Sequence, residues 1–349
     1  MRIRFLIMLM FLSAAFAAAG QSRFYWDVDF TTVFDNREGD RDHTAPETIF
    51  FTRLSPEVGF GFGSAGRVGG GVVWVQPIAC QWNGKRVSPT LYYRLDGGRW
   101  SGSVGIFPRT QLIEELPSFM WCDSLSYFRS NIRGALLQWR SQRSFAEIYL
   151  DWRQMQTASK RESFAIAAHG RWQHPSAPLM AGAYVTMNHL ALTKNAPEDM
   201  HIVDNFMAAP YVGVDLSNRT VLDSLRVRAG AAVTIERNRA FGDWRTPAGG
   251  WLELVASWKM LQLKNMLYAG GHLLPSYGLF GAELYQGEPY YAADFYNRTE
   301  VSCAIVRRRH VDLRAELDFN VTPGSFQFYQ RITLRVTFGS SCPLRLRTD

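Results

Sequence analysis

The stretch SFQFYQRITLRVTF, residues 325–338, has two faces of opposite chemistry. Its even-numbered positions are apolar apart from Gln330, and they are Phe326, Phe328, Ile332, Leu334, Val336 and Phe338. Its odd-numbered positions are polar, charged or tyrosine, and they are Gln327, Tyr329, Arg331, Thr333, Arg335 and Thr337. Because a strand points successive side chains to opposite faces, this is a β period. The pattern fits a soluble β-sandwich, and it also fits a transmembrane barrel with lipid outside and water inside.

The same alternation recurs along the chain. It is clear in residues 25–34, 146–153, 225–236 and 310–321. The polar faces mix acidic and basic side chains, which is unusual for a packed β-core and suits an aqueous lumen. Counting such segments predicts an all-β fold, an antiparallel up-and-down transmembrane β-barrel of about 16 strands, with about 14 as the alternative.

The predicted connections between strands sort by length. Odd-to-even connections such as 109–129 and 274–287 are long, whereas even-to-odd connections such as 63–65 and 142–143 are short. Long extracellular loops and tight periplasmic turns are typical of outer-membrane barrels. The short connection 322–324 is the exception. The sorting favours a lipid-facing barrel and leaves a soluble or periplasmic β-protein as the alternative.

The first residues indicate export. Arg2 and Arg4 precede an apolar run that ends in small residues, as in a secretory signal peptide. We therefore predict a signal peptide at 1–20, a barrel at 21–338 and a periplasmic tail at 339–349. Beyond the leader, the sequence contains no apolar run long enough for a transmembrane helix. The formal net charge of +7 is too mild and too dispersed to predict nucleic-acid binding.

In these features the chain resembles Gram-negative outer-membrane β-barrels of the porin-like kind. The 325–338 strand resembles their terminal strand, and Gly105–Arg109, Asp151–Arg153 and Tyr296–Arg298 are candidate family signatures. The chain departs from the family because eleven residues, 339–349, follow Phe338. The resemblance implies an outer-membrane location, contact with outer-membrane lipid and lipopolysaccharide, and passive diffusion of small hydrophilic solutes.

The face assignment places a set of charged side chains on the inner wall. These predicted pore-lining residues are Asp27, Asp29, Glu147, Asp151, Arg153, Arg226, Arg228, Glu236, Asp312, Arg314, Glu316, Arg331 and Arg335. A barrel of about sixteen strands keeps an aqueous channel, in which fixed charges bias the solutes that pass. The alternative is that they only solvate and brace the wall. The arginines on one side and the Asp27 and Asp29 carboxylates on the other predict a transverse field.

Two loop features carry further expectations. The connection 109–129 is long and unexpectedly apolar, so we expect it either to fold inward and constrict the pore or to pack on the rim. Cys80 and Cys122 fall in neighbouring extracellular loops of an exported chain, which allows a disulfide between them.

The sequence shows no motif for catalysis. It has no Gly-x-Ser-x-Gly context and no His-Glu-x-x-His, and Ser163 and His169 are not spaced for catalysis on a barrel wall. The histidines are scattered, so we predict no catalytic residue, no metal, no cofactor and no enzymatic activity. Two alternatives stay open, a membrane-embedded barrel enzyme acting on lipid or lipopolysaccharide, and a barrel whose loops serve adhesion or assembly.

Overall fold

The chain folds into one closed barrel. The computed structural model describes residues 23–39, 44–240 and 242–340. Within them, sixteen long antiparallel strands pair with their neighbours in sequence, and the last strand pairs with the first. The strands are Arg23–Gly39 (β1), Glu47–Phe62 (β2), Gly66–Pro77 (β3), Val87–Gly97 (β4), Trp100–Pro108 (β5), Asn131–Arg140 (β6), Phe145–Gln154 (β7), Ser163–Gln173 (β8), Leu179–Leu190 (β9), Val203–Asp215 (β10), Ser224–Asn238 (β11), Ala248–Trp258 (β12), Leu261–Gly270 (β13), Phe295–Arg307 (β14), Val311–Thr322 (β15) and Ser325–Gly339 (β16). Closure leaves no free sheet edge, so the all-β barrel prediction is confirmed.

The stretch at 325–338 is the closing strand. β16 pairs with β1 from Asp27 opposite Gly339 to Gly39 opposite Gln327. Pairing continues one residue beyond the strand, because the Ser340 amide donates to Trp26 O at 2.8 Å. The predicted signal peptide and residues 341–349 of the predicted tail lie outside the described residues.

Burial in the barrel wall is inverted relative to a soluble protein. Leu91 and Val212 on the outer face are 62% and 65% exposed, whereas Asp35, Glu147 and Asp318 on the inner face are buried. An apolar outer wall around a polar interior is stable when the outside is lipid. Within the described residues, the structure contains no helix with the length and apolar character needed to cross a membrane.

The connections sort as the sequence indicated. At one end the turns are short, as at 63–65 and 308–310, and at the other end most loops are long, as at 78–86 and 191–202. The short connection 323–324 remains the exception among the long loops. We refer to the end with short turns as the periplasmic end.

Two of the long connections fold into the barrel. The first inward segment, residues 109–130, contains a 3-10 turn and an α-helix, and the second, residues 271–294, contains a kinked helical segment and a 3-10 turn. Their helical parts are Arg109–Gln111 and Asp123–Phe128 (α1) in the first segment, and Tyr277–Leu284 (α2) and Pro289–Ala292 in the second. A further 3-10 turn, Gly84–Arg86, and a two-residue strand, Trp244–Arg245, lie in other loops. Of the two expectations for 109–129, the structure shows the inward one.

The inward segments bring an aromatic core into the lumen. The Phe119 ring lies 5.6 Å from Tyr291 and 5.9 Å from Trp251, measured between ring centroids. All three side chains are buried. Because Trp251 belongs to β12, this core joins both inward segments to the barrel wall.

Candidate functional site

The two inward segments bind each other through their backbones. The Cys122 amide donates to Gln286 O at 2.7 Å, and the Glu288 amide donates to Ser118 O at 2.8 Å. Gly287 lies between these bonds, where an added Cβ would meet Phe119 O at 2.1 Å. The two segments therefore form one body inside the lumen.

A buried ion cluster ties this body to the wall, and it consists of Asp123, Glu288, Arg298, Asp318 and Arg331. Asp123, in the first turn of α1, accepts from Arg298 at 2.8 Å and from Arg331 at 2.6 Å. Both arginines also contact Asp318, and the Asp123 amide donates to Glu288 Oε1 at 2.8 Å. Burial disfavours the Asp123 carboxylate, but the two guanidiniums outweigh burial and lower its pKa. The carboxylate of Asp123 is thus ionised at neutral pH.

The opposite side of α1 is held by β1. Tyr127 donates its hydroxyl to Asp35 at 2.9 Å, and Arg37 donates to Ser124 Oγ at 3.3 Å. Arg37 also pairs with Asp35 at 2.9 Å. Asp35 and Arg37 are not among the residues predicted from the sequence. The signal was available, since they continue the polar face of β1 that carries Asp29.

The start of the first inward segment is fixed by β7. Arg109 forms an ion pair with Asp151, and its guanidinium lies 3.7 Å from the centroid of the Trp121 ring. Glu147 accepts hydrogen bonds from two backbone amides of the segment, at 2.9 and 3.2 Å. Two of the candidate signatures, Gly105–Arg109 and Asp151–Arg153, therefore meet at this anchor.

The second inward segment is anchored by β7 and β11. Arg153 donates to Leu284 O at 3.4 Å. Glu236 accepts from Ser276 Oγ at 2.6 Å and from the Tyr285 hydroxyl. From the sequence this segment was predicted only as a long loop, although it is rich in apolar residues, as the first segment is.

All the predicted pore-lining residues lie on the inner wall. Those that contact the inward segments are Glu147, Asp151, Arg153, Arg228, Glu236 and Arg331. Those that line the cavity below are Asp27, Asp29, Arg226, Arg228, Arg314 and Arg335. The remaining two, Asp312 and Glu316, alternate with outward-facing residues of β15, and Glu316 pairs with Arg331 at 3.4 Å.

The charges of the wall are mostly compensated locally. Arg335 pairs with Asp29, and Arg228 pairs with Glu253 and with Glu114 of the first inward segment. Burial disfavours the Glu114 carboxylate, but the Arg228 guanidinium outweighs burial, and the pKa of Glu114 falls to about 2. Three of the arginines in the predicted transverse field, Arg228, Arg331 and Arg335, therefore form ion pairs, whereas no ion pair of Arg226 is formed within the described residues.

A cavity of about 910 Å³ lies between the first inward segment and the periplasmic end. Gln111 and Leu116 of that segment form part of its lining. The strands contribute Tyr25 near the start of β1 and Thr337 near the end of β16, which places the cavity's lower part at the barrel mouth. We call this cavity the vestibule.

The disulfide allowed by the sequence is not formed. Cys80 and Cys122 are both free thiols. The inward fold of the first segment carries Cys122 into the lumen beside Gln286, while Cys80 stays exposed in the loop after β3. Burial raises the pKa of Cys122 to about 12, so its thiol stays protonated.

Two histidines, His169 and His189, lie on opposite sides of the barrel wall. Ser163 and His169 both lie on the inner side of β8, six positions apart along the strand, so they do not pair. His189 lies on the outer side of β9 near the long-loop end, and its Nδ1 contacts Asp204 on β10 at 2.6 Å. Among the residues that the structure describes, no three His, Cys, Asp or Glu side chains are grouped to hold a metal ion.

These features define a class, the closed β-barrel with an apolar outer wall and a polar lumen. The chain belongs to the lipid A 3'-O-deacylase-type family, whose family model matches residues 16–341. The comparison with curated proteins found no match.

Solved structures share the fold at low identity. OprD of Pseudomonas aeruginosa is 9% identical with a TM-score of 0.53, over 90% of this chain and 94% of that chain. OccK1 (OpdK) of the same organism is 8% identical with a TM-score of 0.52, over 90% and 98% of the two chains. A loop-deletion mutant of OmpT from Vibrio cholerae is 9% identical with a TM-score of 0.51, over 92% and 100%. At these identities the likeness concerns the fold alone.

Proposed function

We propose that the protein is a constricted outer-membrane channel for small hydrophilic solutes. The observation that carries the proposal is the vestibule, a cavity of about 910 Å³ lined by charged side chains from most of the strands. A polar cavity of this size holds water, and fixed charges along a pore select among solutes. The joined inward segments narrow the lumen above the vestibule, so we expect small solutes to pass slowly.

Liposome swelling with sugars of graded size tests the channel. Proteoliposomes should swell in arabinose and resist swelling in raffinose, because the inward segments leave a narrow path. Liposomes that carry heat-unfolded protein are the control. A folded barrel, verified by its gel mobility, that admits no sugar at all would overturn the proposal.

Acidification should lower the conductance of this channel. Burial and the neighbouring Asp123 raise the pKa of Glu288, in the second inward segment, to about 6. A raised pKa means that Glu288 binds its proton more tightly when the inward segments are packed. Packing of the segments is therefore more stable below about pH 6 than above it. Conductance in planar bilayers should therefore be lower at about pH 5 than at about pH 7.

The variant Glu288→Gln is the control for this pH dependence. Glutamine keeps an oxygen for the Asp123 amide, which donates to Glu288 at 2.8 Å, and removes the titrating carboxyl. Its conductance should stay low across the range, with a smaller change between the two pH values. An undiminished pH dependence in the variant would assign the effect to other groups.

A second candidate function is hydrolysis of an ester-linked acyl chain of lipid A. It is favoured by the family to which the chain belongs and by the His189–Asp204 pair on the outer wall. A carboxylate bonded to one ring nitrogen orients the imidazole, so that the other nitrogen can take a proton from a water molecule attacking an ester carbonyl. His189 stacks on Phe164 at 4.8 Å between ring centroids and is therefore held facing the membrane side.

Mass spectrometry of lipid A tests this second candidate. Purified lipopolysaccharide incubated with the protein should lose one 3'-O-linked acyl group, and His189→Gln should abolish the loss. His174→Gln, in a periplasmic turn, is the matched control. Intact lipid A after incubation with the folded wild-type protein would contradict the enzymatic function and would not bear on the channel function.

A further inference from the structure

The charges of the vestibule carry an inference that deepens the channel proposal and rests on it. Ten basic and eight acidic side chains line the cavity, so the lining has an excess of positive charge. Four of the basic groups have a carboxylate partner at ion-pair distance, and they are Arg94, Arg171, Arg228 and Arg335. The excess is therefore concentrated in the arginines that lack one.

Arg226 on β11 and Arg314 on β15 are such arginines. Neither side chain forms a hydrogen bond or an ion pair with any residue in 23–39, 44–240 or 242–340. Both are partly exposed and line the same cavity. Two guanidiniums with unused donors therefore face one water-filled space.

Arg53 on β2 adds a third positive charge to this space. Its guanidinium donates to Thr31 Oγ1 at 3.4 Å and to the carbonyl oxygens of Ser126 and Tyr127 at 3.3 and 3.4 Å. Within the described chain, no carboxylate lies at ion-pair distance from it. The neutral acceptors hold the side chain in place without an ion pair.

The acidic residues of the lining are more fully engaged. Glu57, which also lacks an arginine at ion-pair distance, accepts the Tyr92 hydroxyl at 2.5 Å and the Tyr25 hydroxyl at 3.5 Å. Arg67 lies over both tyrosine rings, at 5.8 and 6.0 Å from their centroids. A cation entering the vestibule would compete with these contacts, whereas an anion would meet unused donors.

We propose that the vestibule binds small organic anions with two or three carboxylate groups, or a phosphate, and that Arg226 and Arg314 supply the donors. The planar fork of a guanidinium matches the oxygens of a carboxylate or a phosphate. A cleft with low-dielectric walls and an excess of one charge concentrates counter-ions. The channel would on this basis favour anionic solutes.

Isothermal titration calorimetry with citrate, on the full chain in detergent, tests the site. The wild-type protein should bind citrate, and inorganic phosphate more weakly. The double variant Arg226→Gln/Arg314→Gln should weaken citrate binding about tenfold for each charge-assisted contact removed. The trication spermidine should show no comparable binding that depends on these residues.

The double variant Arg219→Gln/Arg309→Gln is the matched control. It removes the same net charge at the exposed turns of the periplasmic end, outside the vestibule lining. Salt screens charges at such distances, so citrate binding should be nearly unchanged in it. Equal losses in the two double variants, or no citrate binding by the wild-type protein, would overturn the inference.

Reversal potentials in planar bilayers separate this inference from the channel proposal. Citrate binding without conductance would reject the channel and keep the anion site. Conductance without citrate binding, and with the same anion preference in the Arg226→Gln/Arg314→Gln variant, would reject the anion site and keep the channel.

Discussion

The Asp123→Asn variant should conduct several-fold better than the wild-type protein. The change is nearly isosteric, and it removes the carboxylate that contacts Arg298 at 2.8 Å and Arg331 at 2.6 Å. Removing one partner of a buried ion pair costs about 3–5 kcal/mol, because the other charge stays buried. We expect the low end of that range, since Asp318 still contacts both arginines. Single-channel recording in planar bilayers measures the effect.

Such a free-energy loss shifts the packing equilibrium of the inward segments by about a hundredfold, at 1.4 kcal/mol for each factor of ten. The control is Arg239→Gln, which removes the 51% exposed partner of Asp204, at 3.1 Å, near the long-loop end and outside the vestibule lining. An exposed pair of this kind contributes about 0–1 kcal/mol, so conductance should change little. Unchanged conductance in Asp123→Asn, with the barrel folded, would show that the ion cluster does not hold the constriction.

The Gly287→Ala variant should separate the two inward segments. An added Cβ would lie 2.1 Å from Phe119 O and 2.5 Å from Phe119 C, and backbone atoms cannot move aside as a flexible side chain can. Overpacking of this kind costs about 3 kcal/mol. The bonds on either side, from Cys122 to Gln286 and from Glu288 to Ser118, should then be lost. Limited proteolysis should cut the released segments, and conductance should rise.

Gly278→Ala is the matched control in the same segment. An added Cβ at Gly278 meets nothing within 4 Å, and alanine favours the helix that Gly278 occupies. This variant should match the wild-type protein in protease resistance and conductance. If Gly287→Ala behaves in the same way, the contact between the segments is looser than the structure shows.

The wall of the barrel followed directly from the sequence. Each side chain of a barrel strand faces either lipid or lumen. Apolar residues such as Phe326 therefore alternate with polar residues such as Gln327 along the strand. Loop lengths carried the second signal, because the crossing direction of each strand alternates. The sixteen strands and the inner-wall position of Arg226, Arg314 and Arg335 were predictable for this reason.

The contents of the lumen were predictable only in part. The apolar composition of the 109–129 connection predicted burial, either on the rim or in the lumen. Both positions bury apolar residues, so the composition did not distinguish them. The second inward segment was missed, because its inward fold depends on Glu236 and Arg153 on distant strands. The Cys80–Cys122 disulfide was predicted wrongly for the same reason. The inward fold places Cys122 in the lumen, while Cys80 stays in an exposed loop.

The sequence by itself determined the barrel, its outer and inner faces and the charged character of its interior. These features depend on the alternation of apolar and polar side chains along each strand, which is local in sequence. Only the tertiary structure decided that two loops fold into the lumen and that Asp123 contacts Arg298 and Arg331. It also decided which luminal arginines have carboxylate partners. These contacts join residues more than 100 positions apart, and the pairing of distant charges depends on barrel closure, which no local period encodes.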